Sequence, residues 1–298
     1  MGHSLEVPTF FEPSTGAVRD AVTRALAEDL SPLGDITSSL LPSDASGTAV
    51  FRAREVGVLA GRSCAAESFS QIDDTVRLEW SADDGDVLES GQVFGRVSGL
   101  LVSMLAAERT ALNFMCHLSG VASLTRKYVT EAAVGGSTTV WDTGKTLPGL
   151  RVLEKAAVRA GGGRNHRGNL SEWVMLKDNH LAAIGITEAI RRARVSWPGR
   201  TVEVEADRLD QVEEATRAGA DLILLDNMSP EAAAEAVRLV DQLVGEARRP
   251  LLEASGGISL ENIHSYSVIG VDLISIGRIT QSAPALDIGL DYSPGAEW

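Results

Sequence analysis

Residues 201–240 read TVEVEADRLDQVEEATRAGADLILLDNMSPEAAAEAVRLV, and this stretch sets the fold. Thr201–Val204 and Asp221–Leu225 are apolar-rich runs of strand length, and Arg208–Ala218 carries apolar residues at helical spacing. Ser229 is placed to cap a second helix with Pro230 at its first position, predicting a helix over Pro230–Ala247. Strand, helix, strand, helix in so short a span means βαβ units and a parallel sheet.

The alternation continues on both sides. Further strands are predicted at Thr138–Trp141, Trp173–Leu176, Pro250–Leu252 and Val271–Ile276. That many parallel strands imply an α/β barrel, whose C-terminal strand ends share one face where active sites are built. Those ends carry Asp142, Lys177, Glu205, Asp226 and Glu253, with Gly277 after the last. Alternation along Val202–Glu205 puts Glu203 and Glu205 on one side, toward the barrel interior or mouth. The first third differs. A helix is predicted over residues 18–28, strands over Thr48–Arg54 and Val76–Trp80, and a long helix over Met104–Leu118. The glycine- and aspartate-punctuated DDGDVLESGQVFGRVSG reads as turns between short strands. A separate α/β domain therefore precedes the barrel, the change falling near residues 115–125.

Composition narrows the function classes. The 298 residues carry a net charge of -14 and are 44% hydrophobic, as in a soluble globular protein. With no basic stripe, nucleic-acid binding is not expected. No apolar run approaches the roughly 20 residues of a membrane span, so no membrane partner is expected either. MGHSLEVPTFFEPSTG lacks the basic-then-apolar layout of a signal peptide, and two cysteines make neither a disulfide framework nor a zinc site. The expected compartment is the cytoplasm.

Against that acidic background, Asp142–His180 holds seven Lys/Arg against four Asp/Glu. A local excess of cations in an acidic chain suits a small anion, phosphorylated or carboxylated. Lys145, Arg167 and Lys177 are the candidate cations, Arg167 able to bind a carboxylate with both arms. His166 beside Arg167 is a candidate ligand contact, although a lone histidine is more often structural. Two glycine turns, Ser255–Gly257 in EASGGI and Gly277 in ISIGRIT, follow the last two strands and precede predicted helices, an arrangement that suits phosphate. Glu205 and Asp226 are either structural or hold Mg²⁺ and sugar hydroxyls. Lys177 also admits a second reading, as the Schiff-base lysine of an aldolase, provided it is desolvated.

Taken together, AEDLSPLGDITSSLLP, GVLAG, AERTALNFMCHLSGVAS, DTGKTLPGLRVLEKAAVRAGGGRNHR, LKDNH, VEVEAD, ILLDNMSP, EASGGI and SAPALDIGLDY resemble the quinolinate phosphoribosyltransferase family, also called nicotinate-nucleotide pyrophosphorylase (carboxylating), over nearly the whole chain. The resemblance implies an N-terminal α/β sandwich domain over residues 1–118, to which 286–298 return, and an incomplete seven-stranded α/β barrel over 119–285. It implies Mg²⁺ as cofactor and a homodimer with shared active sites, leaving assembly into hexamers open. Arg109 would reach the substrate across the dimer interface, and His166, Arg167 and Lys177 would line the quinolinate pocket. Lys145 would lie near the pyrophosphate of phosphoribosyl pyrophosphate, Glu205 and Asp226 would serve the ribose and metal, and Ser255, Gly256, Gly257 and Gly277 the 5′-phosphate. Lys145, Lys177, Glu205 and Asp226 would form the catalytic set. The implied reaction yields nicotinate mononucleotide, pyrophosphate and CO₂, a step of NAD biosynthesis.

The sequence departs from the family pattern at Gly144, where DTRKT is usual and the arginine contacts the pyridine dicarboxylate. Loss of one partner of a buried charge-assisted pair costs about 2–5 kcal/mol of binding. His117 and Gln281 also replace a usual arginine and histidine, thinning the cationic and proton-donating groups expected near the site. These departures leave three readings: an ordinary enzyme with compensating cations such as Arg164, a paralogue for another heteroaromatic acid, or a weakened member that binds without turnover.

Overall fold

The computed structural model describes residues 12–244 and 249–293; the end of the helix predicted to Ala247, most of the N-terminal stretch read for a signal peptide and the end of the returning tail lie outside them. The chain divides into two compact units of interleaved sequence, one made of 1–126, 146–162 and 279–298, the other of 127–145 and 163–278.

The first unit contains α1 (Thr15–Leu30), β1 (Ser46–Ala53), β2 (Gly57–Val58), α2 (Arg62–Ile72), β3 (Arg77–Trp80), β4 (Val87–Leu88), β5 (Val93–Leu100) and most of α3 (Leu101–Ala133). To these it adds α4 (Arg151–Ala160) and β12 (Ile288–Ser293). Its antiparallel sheet runs β12-β1-β5-β3. Along β1, Ala49, Phe51 and Ala53 are buried while their neighbours are not, the period-two pattern of a sheet with one face on a core. Phe51 stacks on Trp80 at 5.0 Å between ring centres and lies 6.0 Å from Phe94. Leu59, Leu88, Met104 and Met115 complete that core.

At 33 residues α3 is far longer than the helix predicted over Met104–Leu118. Buried Val121, Ala122, Thr125 and Tyr128 extend its inward stripe beyond Gly120. Gly120 instead marks a close approach. A Cβ there would lie 2.0 Å from the Pro284 carbonyl oxygen and 3.0 Å from the Ala285 Cα.

The second unit is the α/β barrel. Its parallel strands are β6 (Thr139–Trp141), β7 (Val174–Leu176), β8 (Val202–Ala206), β9 (Leu222–Asp226), β10 (Leu251–Ser255) and β11 (Leu273–Ser275). They lie in the order β6-β11-β10-β9-β8-β7. Its helices are α5 (Asp178–Ile184), α6 (Ile186–Ser196), α7 (Leu209–Arg217), α8 (Pro230–Val244) and α9 (Ile263–Ser267), and α10 (Arg278–Gln281) follows β11. The Ser229 hydroxyl accepts from Ala232 N–H at 3.3 Å, the cap that the sequence predicts. Six strands form the sheet where the resemblance implies seven. The seventh place is held by a single parallel rung between Arg164 and Trp141 at the β6 edge. The sheet curls so far that His166, just past that rung, has its ring 4.7 Å from Trp173, which immediately precedes β7 at the opposite edge.

Ala normally gains up to about 1 kcal/mol over Gly inside a helix, whereas overpacking against backbone costs about 1–3 kcal/mol. Gly120→Ala is therefore expected to lower the denaturation midpoint in urea; an unchanged or raised midpoint would contradict the close approach.

Candidate active site

The strand ends bring part of the expected set together. Lys177 Nζ donates to Glu205 Oε2 at 2.7 Å, joining the residue after β7 to β8. The Lys177 backbone N–H donates to His180 Nδ1 at 3.0 Å, which orients the start of α5. Asp226 ends β9 and accepts from the Asn227 side-chain amide at 2.9 Å. Asn227 adopts φ 55°, and its N–H donates to the Ser255 carbonyl at 2.9 Å. Gly256, at φ 96°, leaves room for Asn227, whose Oδ1 a Cβ would approach to 2.2 Å. Ser275 Oγ donates to Ser255 Oγ at 3.0 Å. A Cβ on Gly277 would be 3.4 Å from Lys145 Cδ, so the lysine stem runs beside the last glycine turn.

Three expectations change. Lys177 keeps a side chain 44% exposed and paired with a carboxylate, so it lacks the desolvation that an aldolase lysine requires. The helix expected directly after Gly257 begins only at Ile263, and α10 after Gly277 has four residues. An anion there would be held by turn N–H groups rather than by a helix dipole. Glu253 lies inside β10, two residues before its end, because the strand runs on past the predicted Leu252 to Ser255. It is 1% exposed and faces the interior.

There it meets His166. The buried imidazole Nε2 lies 3.3 Å from Glu203 Oε1 and 3.4 Å from Glu253 Oε2. Trp173 Nε1 donates to the other Glu203 oxygen at 2.8 Å, and the His166 backbone N–H donates to buried Asp142 Oδ1 at 2.8 Å. Burial alone would favour the neutral ring, but hydrogen bonds to Glu203 and Glu253, with their charges, push its pKa up to about 9. Burial also pushes the Glu253 carboxyl above its ordinary range, aided by the Glu203 charge and opposed by His166.

Arg167 parts from His166. It lines a cavity of about 520 Å³ with Trp173, Met175, His180, Trp197 and Arg200. Arg109 lies on α3 of the first unit, 78% exposed and 3.8 Å from Asp29. Gly144 is exposed, and a Cβ there would meet nothing within 4 Å. The His117 ring is hydrogen-bonded to fully buried Glu154 at 2.8 Å, a contact inside the first unit. Of the residues the sequence reading left out of the site, Glu203 was visible in the VEVE alternation. Asn227, Ser275 and Trp173 gave no sequence signal.

A parallel α/β barrel with an ion pair, a further carboxylate and glycine turns at its C-terminal strand ends is the framework of an enzyme for phosphorylated small molecules. The chain matches the descriptions "Quinolinate phosphoribosyl transferase, N-terminal domain" over residues 35–119 and "Quinolinate phosphoribosyl transferase, C-terminal domain" over 121–291. It is 42% identical over 279 residues to the nicotinate-nucleotide pyrophosphorylase [carboxylating] of Mycobacterium leprae, covering 92% of this chain and 97% of that protein. The probable enzyme of that name from Bacillus subtilis is 40% identical over 262 residues, covering 87% of this chain and 88% of its own. The solved nicotinate-nucleotide pyrophosphorylase from Francisella tularensis superposes with a TM-score of 0.88 at 36% identity, covering 95% of this chain and 98% of that one. The chain belongs to the quinolinate phosphoribosyltransferase family, and is thus a pentosyl-transferring enzyme.

Because His166 and Glu253 both hold protons more tightly in the folded chain, stability linked to them is present at low pH and is lost as pH rises, for His166 through about 9. The melting temperature should fall between pH 7 and 10. The fall should be shallower in a His166→Leu, Glu203→Gln, Glu253→Gln triple variant; equal slopes would contradict this assignment.

Proposed function

We propose that the chain transfers the phosphoribosyl group of phosphoribosyl pyrophosphate to quinolinate, releasing pyrophosphate and CO₂ and forming nicotinate mononucleotide for NAD biosynthesis. The observation that carries this reading is the 42% identity to a carboxylating nicotinate-nucleotide pyrophosphorylase across 97% of that enzyme's length. The alternative of a different acceptor rests on Gly144 alone and gains nothing from the comparisons.

In this reading the acceptor nitrogen attacks C1 of the ribose as the bond to pyrophosphate breaks, through an oxocarbenium-like state. Catalysis is then mostly positioning and charge stabilisation. Lys145, lying along Gly277, meets the departing pyrophosphate. Glu205, steadied by Lys177, and Asp226 take the ribose hydroxyls and flank the positive charge at C1. Ser255 and the N–H groups of Gly256, Gly257 and Gly277 hold the 5′-phosphate. Arg167 and Lys177, with Arg109 contributed across a homodimer interface, take the acceptor carboxylates, while His166 acts from beneath. The C2–carboxylate bond then breaks; its electron pair stays on C2, stabilised by the adjacent cationic nitrogen, and takes a proton from water.

Glu205 and Asp226 suit Mg²⁺. Both are hard oxygen donors at the ends of neighbouring strands, and Glu205 pairs with Lys177 through only one oxygen. Two carboxylates leave the remaining positions to water and substrate oxygens, as Mg²⁺ prefers. Held by Glu205 and Asp226, such an ion would supply positive charge beside the leaving pyrophosphate. A cytoplasmic homodimer belongs to the same proposal.

Purified protein with phosphoribosyl pyrophosphate, Mg²⁺ and quinolinate should form nicotinate mononucleotide, and EDTA should stop it. Lys145→Ala should lower kcat about 100-fold or more. Gly144→Arg, which has room at its Cβ, should lower the KM for quinolinate. Product from another pyridine acid but none from quinolinate would overturn the assignment.

A further inference from the structure

One segment of this barrel joins the sheet by an isolated backbone bridge rather than as a strand. The backbone ladder fixes residues 164–167 to the sheet at one rung, with Arg164 N–H on the Val140 carbonyl at 2.8 Å and Asp142 N–H on the Arg164 carbonyl at 3.0 Å. A full seventh strand would repeat those bonds along its length. Side chains take over instead. Asp142, 0% exposed, accepts the His166 N–H with one oxygen and the Asn165 amide with the other, at 2.8 and 2.7 Å. The His166 ring then reaches across the interior to carboxylates on β8 and β10.

Register places this ring. Glu203 is two residues before Glu205 on one face of β8, and Glu253 two before Ser255 on one face of β10. The imidazole therefore sits one layer beneath the Lys177–Glu205 pair and the Ser255–Ser275 pair. Buried Glu253 has the His166 imidazole 3.4 Å from one oxygen and the Ser275 hydroxyl as a further neighbour, and the ring is the group whose positive charge opposes the cost of its burial.

We infer that Glu253 is a positioning residue for the reaction: with Glu203 it pins the His166 cation, and through it the adjoining Arg167, in place of a seventh strand's ladder. The consequence for substrate rests on the acceptor assignment proposed above; the pin itself does not. Groups facing the ring include Glu203 from β8, Glu253 from β10, Trp141 from β6 and Trp173 ahead of β7, with Asp142 at its backbone. The ionisable ones among them are carboxyl groups, and against the burial that would favour a neutral ring their hydrogen bonds and charges hold its pKa up at about 9. Removing one carboxylate should bring its deprotonation down toward neutrality.

The test is Glu253→Gln in the full chain, with Glu253→Asp as the conservative variant. In wild type, imidazole ¹⁵N shifts of His166 should report a cation at pH 7.5 without any ligand. In Glu253→Gln the same signals should titrate at lower pH. The KM for quinolinate should rise about tenfold at pH 8 with the KM for phosphoribosyl pyrophosphate within twofold, and Glu253→Asp should restore part of the difference. A neutral His166 in wild type, an unshifted titration in Glu253→Gln, or one equivalent of a divalent metal held by this cluster would overturn the inference. Equal rises in both KM values would reduce Glu253 to a general packing role and overturn it too. If wild type failed to use quinolinate, the acceptor assignment would fall while the ¹⁵N titration still decided the pin.

Discussion

A cationic imidazole held between two carboxylates inside a barrel is a costly choice of filling. Each buried ion forfeits several kcal/mol of hydration even after relaxation, and apolar residues of the same volume often give equal or greater stability. Barrel interiors are usually layers of branched aliphatic side chains. The His166–Glu203–Glu253 layer therefore points to a demand other than stability. That demand is geometric: residues from both edges of an open sheet converge, and the Arg164–Arg167 segment joins the sheet by an isolated backbone bridge. A charge cluster tying that segment to β8 and β10 supplies the missing constraint, and everything at the mouth is built above it.

The mouth follows the same economy. Strand ends contribute polar groups that a neighbour steadies: Glu205 on the next strand holds Lys177, Ser275 on the next strand holds Ser255, and adjacent Asn227 holds Asp226. Gly256 gives up a side chain so that Asn227 can lie against its backbone. Gly144 is the exception, an exposed position with open space around it, where the resemblance implies an arginine. A single lost cation on a scaffold this intact tunes acceptor affinity more readily than it changes the reaction.

Much of this was legible in the sequence, for physical reasons. The βαβ rhythm survives because buried parallel strands and amphipathic helices demand different apolar spacing, so the strands fell within a few residues of their predicted places. Strand ends were less legible, since a doubly buried strand is apolar throughout and carries no mark of where it stops. That is why Glu253, read as a mouth residue, proved to be an interior one. The full length of α3 was not predicted; the glycine within it, Gly120, is accounted for by its close approach to Pro284 and Ala285. The separation of Arg167 from His166 was equally hidden, because neighbours in sequence point apart once the chain is extended.

The reaction's two bond changes offer the most direct test of the whole account. Quinolinate labelled in its 2-carboxylate should release one CO₂ for each pyrophosphate at every stage of turnover, because the nitrogen that displaces pyrophosphate is the one that makes C2 a leaving site for CO₂. Pyrophosphate released without labelled CO₂, or CO₂ released without phosphoribosyl pyrophosphate, would contradict it.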